Sequence, residues 1–255
     1  MKQHSSVVML FMRSSIYKIF LLFLVMIASE GIWFYRTIQK LQEKKQSGEV
    51  DVLVPEVVFE EANLMVIFAA AVIVMTVILA CVGRSAVGHQ EYTWNRLSIS
   101  PNSVFAWQAV YNCSCFLMLW FVQAALAYGL CLYYVKTADA GAVTHQSLFL
   151  AFYRDPFLHG LVPLHNIWYW ARNIFLFCAL GFSVAYDVYC AKKGKKRMWV
   201  WWLVLCFGLP KFRFNLNVSN AGGAEALVYA GILIWMIFII LCTGERKPDD
   251  AAGKQ

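Results

Sequence analysis

The chain has 255 residues, 60% of them hydrophobic, and its mean hydropathy of +0.57 excludes an ordinary soluble domain of this length. Its net charge of +7 does not indicate nucleic-acid binding, because the basic block at residues 192–197 lies between two apolar runs. Topology signals and contacts to anionic lipid are far more common in such a loop. The apolar residues cluster in runs near the length that a helix needs to cross a bilayer. We therefore predict one all-α membrane domain over residues 1–255.

Six apolar runs predict six transmembrane helices. In chain order they are Ile16–Tyr35, Ala62–Val82, Val104–Val135, Ile167–Tyr189, Met198–Pro210 and Ala226–Cys242. An even number of spans puts both termini on one side, and that side carries the larger share of the lysines and arginines. By the positive-inside rule we expect both termini in the cytoplasm, with residues 1–15 as an interfacial helix and residues 243–255 as a tail.

The first predicted span contains an ionisable residue, Glu30. A carboxylate in the hydrocarbon region is costly and usually faces a protein interior or a wet path. Glu30 also lies close to Tyr35, where the span is predicted to end, so a position at the outer interface is the alternative. If the chain has an intramembrane polar path, its candidates are Glu30, Asn112 and Gln123.

The connection between the second and third predicted spans is the most informative segment. Residues 91–100 form a short amphipathic stretch, and Ser100 with Pro101 supplies an N-cap and a first-position proline for the next helix. On a helix, Trp94 and Leu97 share one face, which suits insertion into a cleft on a partner protein. The polar rim of that face consists of Glu91, Asn95 and Arg96. An amphipathic loop lying on lipid is the alternative.

Two further segments are expected on the outer side of the membrane. Residues 147–164 are apolar but are interrupted by Asp155-Pro156, Gly160 and Pro163. They therefore predict a re-entrant or interface-lying segment and not a span. Residues 211–224 follow the short fifth span and predict a hairpin that dips back into the outer leaflet.

The start of the sixth predicted span carries a stripe of small residues. Gly222, Ala226 and Ala230 recur at every fourth position. This spacing places them on one helix face and suits close helix packing, either within the chain or at a dimer interface.

No motif supplies chemistry of its own. The sequence lacks the G-x-x-x-x-G-K-[ST] P-loop and the H-E-x-x-H and G-x-S-x-G signatures. The cysteines all fall within or at the ends of predicted spans, and the histidines match no metal-ligand spacing, so no metal site is predicted. No internal repeat typical of secondary transporters is visible. These absences favour a subunit that obtains its energy from a partner.

The layout resembles the membrane subunit of ABC-2 type transporters, the type V exporter fold. That family has six spans with both termini inside, an amphipathic N-terminal helix, a coupling helix between spans two and three, and a re-entrant outer hairpin between spans five and six. Its coupling pattern is matched here by Glu91, Thr93, Leu97 and Pro101. Two positions depart from it: Tyr92 replaces a frequent glycine, and the basic residue usual early in the third span is missing, with Gln108 nearest.

The resemblance implies a permease subunit of an ATP-driven exporter in a bacterial plasma (inner) membrane. ATP and Mg²⁺ would be bound by a separate P-loop ATPase subunit, and two permease subunits, identical or related, would form the pathway among membrane lipids. The residues expected to couple to the ATPase are Glu91, Thr93, Trp94, Arg96, Leu97 and Pro101. Two alternatives stay open: a secondary carrier or channel subunit, and a membrane-embedded accessory protein or enzyme that acts without ATP.

Overall fold

The computed structural model describes residues 2–47, 55–89, 101–137, 145–164, 166–192, 200–212 and 221–244. Regular structure in these ranges is entirely helical, which confirms the all-α prediction for this part of the chain. The elements are α1 (Lys2–Gln46), α2 (Pro55–Ala62), α3 (Leu64–His89), α4 (Pro101–Thr137), α5 (His145–Arg154), α6 (Pro156–Leu161), α7 (Ile167–Lys192), α8 (Val200–Gly208), a 3₁₀ turn (Leu209–Phe212) and α9 (Ala221–Gly244).

The long helices α1, α3, α4 and α7 form an up-and-down bundle. Phe11, early in α1, packs with Val82 near the end of α3 and with Val104 near the start of α4. The start of α4 also meets the end of α7, where the rings of Phe105 and Tyr189 lie 5.4 Å apart. We call this the lower end of the bundle. The upper end is the one at which α1 and α4 finish and α3 and α7 begin.

Helices long and apolar enough to cross a membrane account for the first four predicted spans, so the described part of the chain is compatible with a multi-pass membrane protein. The four helical segments are Val8–Gln46, Leu64–Gly83, Asn102–Thr137 and Ile167–Ala191.

The fifth and sixth predicted spans are not confirmed. Helix α8 has nine residues and extends only about 14 Å, against a hydrocarbon core of about 30 Å. Pro210 lies in the 3₁₀ turn that follows it. Helix α9 has 24 residues, and its apolar stretch among the residues whose side chains are described is Gly223–Trp235. The six-span arrangement therefore stays a prediction.

Helix α1 is longer than the first predicted span at both ends. Residues 2–15, predicted as a separate interfacial helix, are the beginning of one continuous helix of 45 residues, about 68 Å long. Past the apolar run, the helix continues because Ile38 and Leu41 are buried in a cluster with Val58 and Phe59 of α2. Ile38 and Leu41 are three residues apart and form an apolar stripe on one helix face. This stripe is hard to recognise in the sequence because residues 36–46 also carry many charges.

Two short helices connect α4 to α7 and enter the bundle at its upper end. Helix α5 has ten residues and α6 has six, so neither can span a bilayer, as the breaks in this segment predict. Asp155 separates them, and its side chain accepts a hydrogen bond of 2.8 Å from the backbone N–H of Leu158. Helix α6 is largely buried, and Phe157 lies 6.1 Å from the ring of Phe68 on α3.

Helices α4 and α7 are in close contact at Gly181. A methyl group at this position would lie 2.6 Å from the backbone nitrogen of Cys113. Beside it, Asn112 Nδ2 donates to the Gly181 carbonyl at 3.4 Å, and Cys113 Sγ donates to the Cys178 carbonyl at 3.4 Å. The absence of a side chain at Gly181 therefore sets how closely the two helices pack.

We predict that Gly181→Ala destabilises the protein by about 1–3 kcal/mol, because the new methyl group pushes against backbone that cannot rotate away. The matched control is Gly129→Ala in α4, where no atom lies within 4 Å of an added methyl group. That variant should be neutral or more stable by up to about 1 kcal/mol, since alanine favours helix. Unfolding of the purified variants in one detergent measures both, and equal stabilities would contradict the packing described.

Candidate functional site

The segment that carries the family resemblance lies outside the described residues. This applies to the predicted coupling residues Glu91, Thr93, Trp94, Arg96 and Leu97. Pro101, the last residue of the pattern, is the first residue of α4, which confirms the predicted start of that helix. The predicted outer hairpin and C-terminal tail also lie largely outside the described ranges.

Two residues named from the sequence as candidates for a polar path meet between α1 and α4. Gln123 Nε2 donates a hydrogen bond of 2.9 Å to Glu30 Oε2. Both side chains are 0% exposed. Glu30 therefore faces the interior of the bundle.

The surroundings of this pair are apolar. One helical turn away on α1, Met26 and Phe34 are buried, and one turn away on α4, Leu119 and Ala127 are buried. All four belong to the main hydrophobic core of the bundle. A carboxyl group in such a setting has little to stabilise a negative charge, so Gln123 is its principal polar contact.

A second buried polar cluster, which sequence reasoning missed, lies at the upper end. The side chain of Arg172 on α7 is 1% exposed, and its Nη1 lies 3.5 Å from Glu225 Oε2 on α9. Its Nε and Nη2 donate to Asn173 Oδ1 at 3.2 and 2.9 Å. The guanidinium also lies 5.0 Å from the centroid of the Tyr169 ring, a cation–π distance. These contacts compensate a buried positive charge and tie α7 to α9.

At the same end of the bundle, side chains donate hydrogen bonds to backbone carbonyls that lie outside the regular helical hydrogen-bonding pattern. Asn173 Nδ2 donates to the Gly160 carbonyl at 2.8 Å. Two tryptophans also donate to backbone carbonyls through their indole N–H groups. Trp120 donates to the carbonyl of Leu161 at 3.0 Å, and Trp170 donates to the carbonyl of Pro163 at 2.7 Å. The end of α6 and the residues after it are thus bonded to side chains of α4 and α7.

The six predicted spans place Arg172 on the outer side of the membrane, near the start of the fourth span, and do not predict that its side chain is buried. Its burial is possible because Asn173 beside it and Glu225, 53 positions later, both supply acceptors. The local signal for this buried cluster was an arginine next to an asparagine near the start of an apolar helix. The pairing with Glu225 has no local signal, because it depends on how α7 and α9 pack.

The predicted small-residue stripe is partly buried within the chain. Gly222 lies in the first turn of α9, Ala226 is buried, and Ala230 is half-buried. Helix α9 packs along α7, and an added methyl group at Gly223 would be 3.9 Å from the ring of Trp168. Ala226, in the middle of the stripe, therefore faces the interior of the chain.

Metal ligation has no candidate in the described ranges, where no group of three or more His, Cys, Asp or Glu side chains could hold an ion. No protein-family model, curated protein or solved structure matches this chain.

We predict that Asn173→Leu, which keeps the number and branching of the side-chain heavy atoms, destabilises the protein by about 2–4 kcal/mol. The change leaves the Gly160 carbonyl without its donor and removes one of the acceptors of Arg172, and such losses exceed the average of about 0.6 kcal/mol for a hydrogen bond in a membrane protein. The control is Glu61→Gln at the exposed ion pair with Lys44 (3.4 Å), which should shift stability by less than about 0.5 kcal/mol. Equal effects in unfolding titrations would contradict the role assigned to Asn173.

Proposed function

We propose that this chain is the membrane-spanning permease subunit of an ATP-driven exporter of the ABC-2 type. In this proposal a separate P-loop ATPase binds ATP and Mg²⁺, and a second permease subunit, identical or related, completes the pathway. The observation that carries the proposal is the coupling pattern Glu91, Thr93, Leu97 and Pro101 between two apolar helices. Helix α3 ends at His89 and α4 begins at Pro101, so the pattern joins two candidate spans.

Packing at the lower end supports the proposal, because it would transmit a displacement of residues 90–100 into the bundle. Gly83 on α3 lies so close to two other helices that an added methyl group would be 2.5 Å from Gln108 Nε2 on α4 and 2.7 Å from Val188 Cγ2 on α7. On α1, the hydroxyl of Ser15 is hydrogen-bonded to that of Tyr111 on α4. A force applied between α3 and α4 would therefore also act on α1 and α7.

The distribution of burial also suits a subunit that works in lipid beside a second one. In the most apolar stretch of α7, 72% of the residues are buried, whereas in that of α1 the share is 28%. Helix α7 is thus central and α1 peripheral. The outer face of α1 is apolar, with Tyr17, Phe20 and Leu21 all largely exposed, and in this proposal lipid or the second permease covers it. A bacterial plasma membrane with both termini in the cytoplasm completes the proposal.

A carrier or channel subunit that acts without ATP is the second candidate, and the buried Glu30–Gln123 pair is the observation that favours it. An intramembrane carboxyl group is a frequent part of ion and proton pathways. The two candidates differ in their partners, since only the exporter requires a nucleotide-binding subunit.

We predict that the tagged protein, purified in mild detergent from its native membranes, brings with it a stoichiometric partner that contains a P-loop. Leu97→Asp should abolish this association without changing the amount of protein in the membrane, because a charge would enter an apolar cleft on the partner. Leu97→Met keeps the apolar contact and should retain the partner. Mass spectrometry of the co-purified chains and quantitative blotting of the membrane fraction measure these outcomes.

A stable complex without any nucleotide-binding chain would contradict the exporter proposal. So would a P-loop partner that stays bound equally well to Leu97→Asp and Leu97→Met, because the coupling face would then lie elsewhere.

A further inference from the structure

The Glu30–Gln123 pair leaves two buried oxygen atoms without a donor. One N–H of Gln123 reaches Glu30 Oε2, whereas Glu30 Oε1 and Gln123 Oε1 have no hydrogen-bond partner among the described residues. A buried acceptor without a donor costs free energy, and two acceptor oxygens cannot bond to each other. Glu30 and Gln123 therefore each have one buried oxygen that lacks a hydrogen-bond donor.

Among the residues that the structure describes, no charged group near the pair supplies a counterion. On α1 the nearest ionisable residues along the helix are Tyr35 and Arg36, both exposed. On α2, Glu60 and Glu61 are exposed, and Glu61 lies 3.4 Å from Lys44. On α3, residues 64–80 contain no ionisable side chain, and on α4 the positions one turn from Gln123 contain none.

The charged residues on the elements packed around the upper half of α4 have partners of their own. Asp155 caps α6 through the N–H of Leu158, and Arg172 bonds Asn173 and Glu225. An ionised Glu30 would therefore be stabilised by a single amide N–H within the described part of the bundle. This one hydrogen bond would not offset the free energy of hydration that a buried carboxylate loses.

We propose that Glu30 is a proton-binding site and that its carboxyl group is neutral in the assembled bundle. A proton on Glu30 Oε1 converts that atom from an acceptor to a donor, and Gln123 Oε1 is the acceptor left over by the same pair. A neutral acid and a primary amide then form a closed ring of two hydrogen bonds, N–H to carbonyl and O–H to carbonyl. One proton thus satisfies both orphaned oxygens and removes the buried charge.

A metal cation fits this site less well than a proton does. Calcium takes about 6–8 oxygen ligands, whereas the pair offers two free oxygens. The buried side chains one turn away, Met26, Phe34, Leu119 and Ala127, are apolar. The donor set therefore fits a proton.

The site links α1 to α4 whatever the chain transports, so this proposal does not depend on the proposed exporter function. While the interface is dry, the protonated ring holds the peripheral helix α1 against α4. A movement that admitted water between the two helices would stabilise the carboxylate, release the proton and break the ring. The protonation state of Glu30 would therefore change when α1 separates from α4.

The test is infrared spectroscopy of the full-length protein in lipid bilayers at neutral pH, where an exposed glutamate with a pKa of about 4.3 is ionised. Wild type should show a protonated-carboxyl C=O band that is lost in Glu30→Gln, a variant whose amide can still pair with Gln123. In Gln123→Leu the band should move to higher wavenumber, because the carbonyl loses its N–H donor. Isotopically labelled glutamate should shift the wild-type band, an assignment that needs no substitution.

The matched control is Gln39→Leu, which removes an exposed glutamine of α1 that donates to the Tyr35 hydroxyl at 3.0 Å and should leave the band in place. Identical carboxyl spectra for wild type and Glu30→Gln would overturn the proposal, since Glu30 would then be ionised. A band that Gln123→Leu does not move would also overturn it, because the acid would not be bonded to Gln123.

Discussion

A carbonyl that leaves the helical hydrogen-bonding pattern inside an apolar bundle must receive a donor from elsewhere, and this requirement organises the upper end of the molecule. Helix α6 and the residues that follow it enter the interior, where Asn173, Trp120 and Trp170 bond their carbonyl groups. Asn173 also accepts from Arg172, which pairs with Glu225 on α9. The irregular backbone, the buried charge and the packing of α4, α7 and α9 therefore depend on one connected set of polar contacts.

The parts of the fold that the sequence predicted are those set by local pattern. Apolar length identified four helices that can cross a membrane, Pro101 marked the start of α4, and the interruptions between residues 155 and 163 excluded a span there. Prediction failed where packing overrode composition. The charged end of α1 stays helical because Ile38 and Leu41 meet α2. Arg172 is buried because two partners, one of them distant in the chain, accept its hydrogen bonds.

The candidate sites divide in the same way. Glu30 and Gln123 were both notable from the sequence as polar residues within apolar runs, but only the bundle brings them within 2.9 Å. The predicted coupling pattern is a local feature of the sequence, and the role proposed for it requires a partner protein. The two ends of the bundle differ accordingly: the upper end is joined by internal polar contacts, whereas the lower end is where α3 ends and α4 begins, and where the proposed partner would act.

Hydrogen exchange of the protein in lipid bilayers tests most directly whether the polar contacts of the upper end hold the irregular segment inside the bundle. The informative peptide covers residues 156–164, with α7 as the internal standard for a buried helix. We predict that the hydrogen-bonded amides of this peptide exchange nearly as slowly as those of α7; examples are the N–H of Leu158, which donates to the Asp155 side chain, and that of Val162, which donates to the Leu158 carbonyl. Rapid exchange throughout the peptide, with α7 still protected, would contradict it, because the segment would then lie open to water.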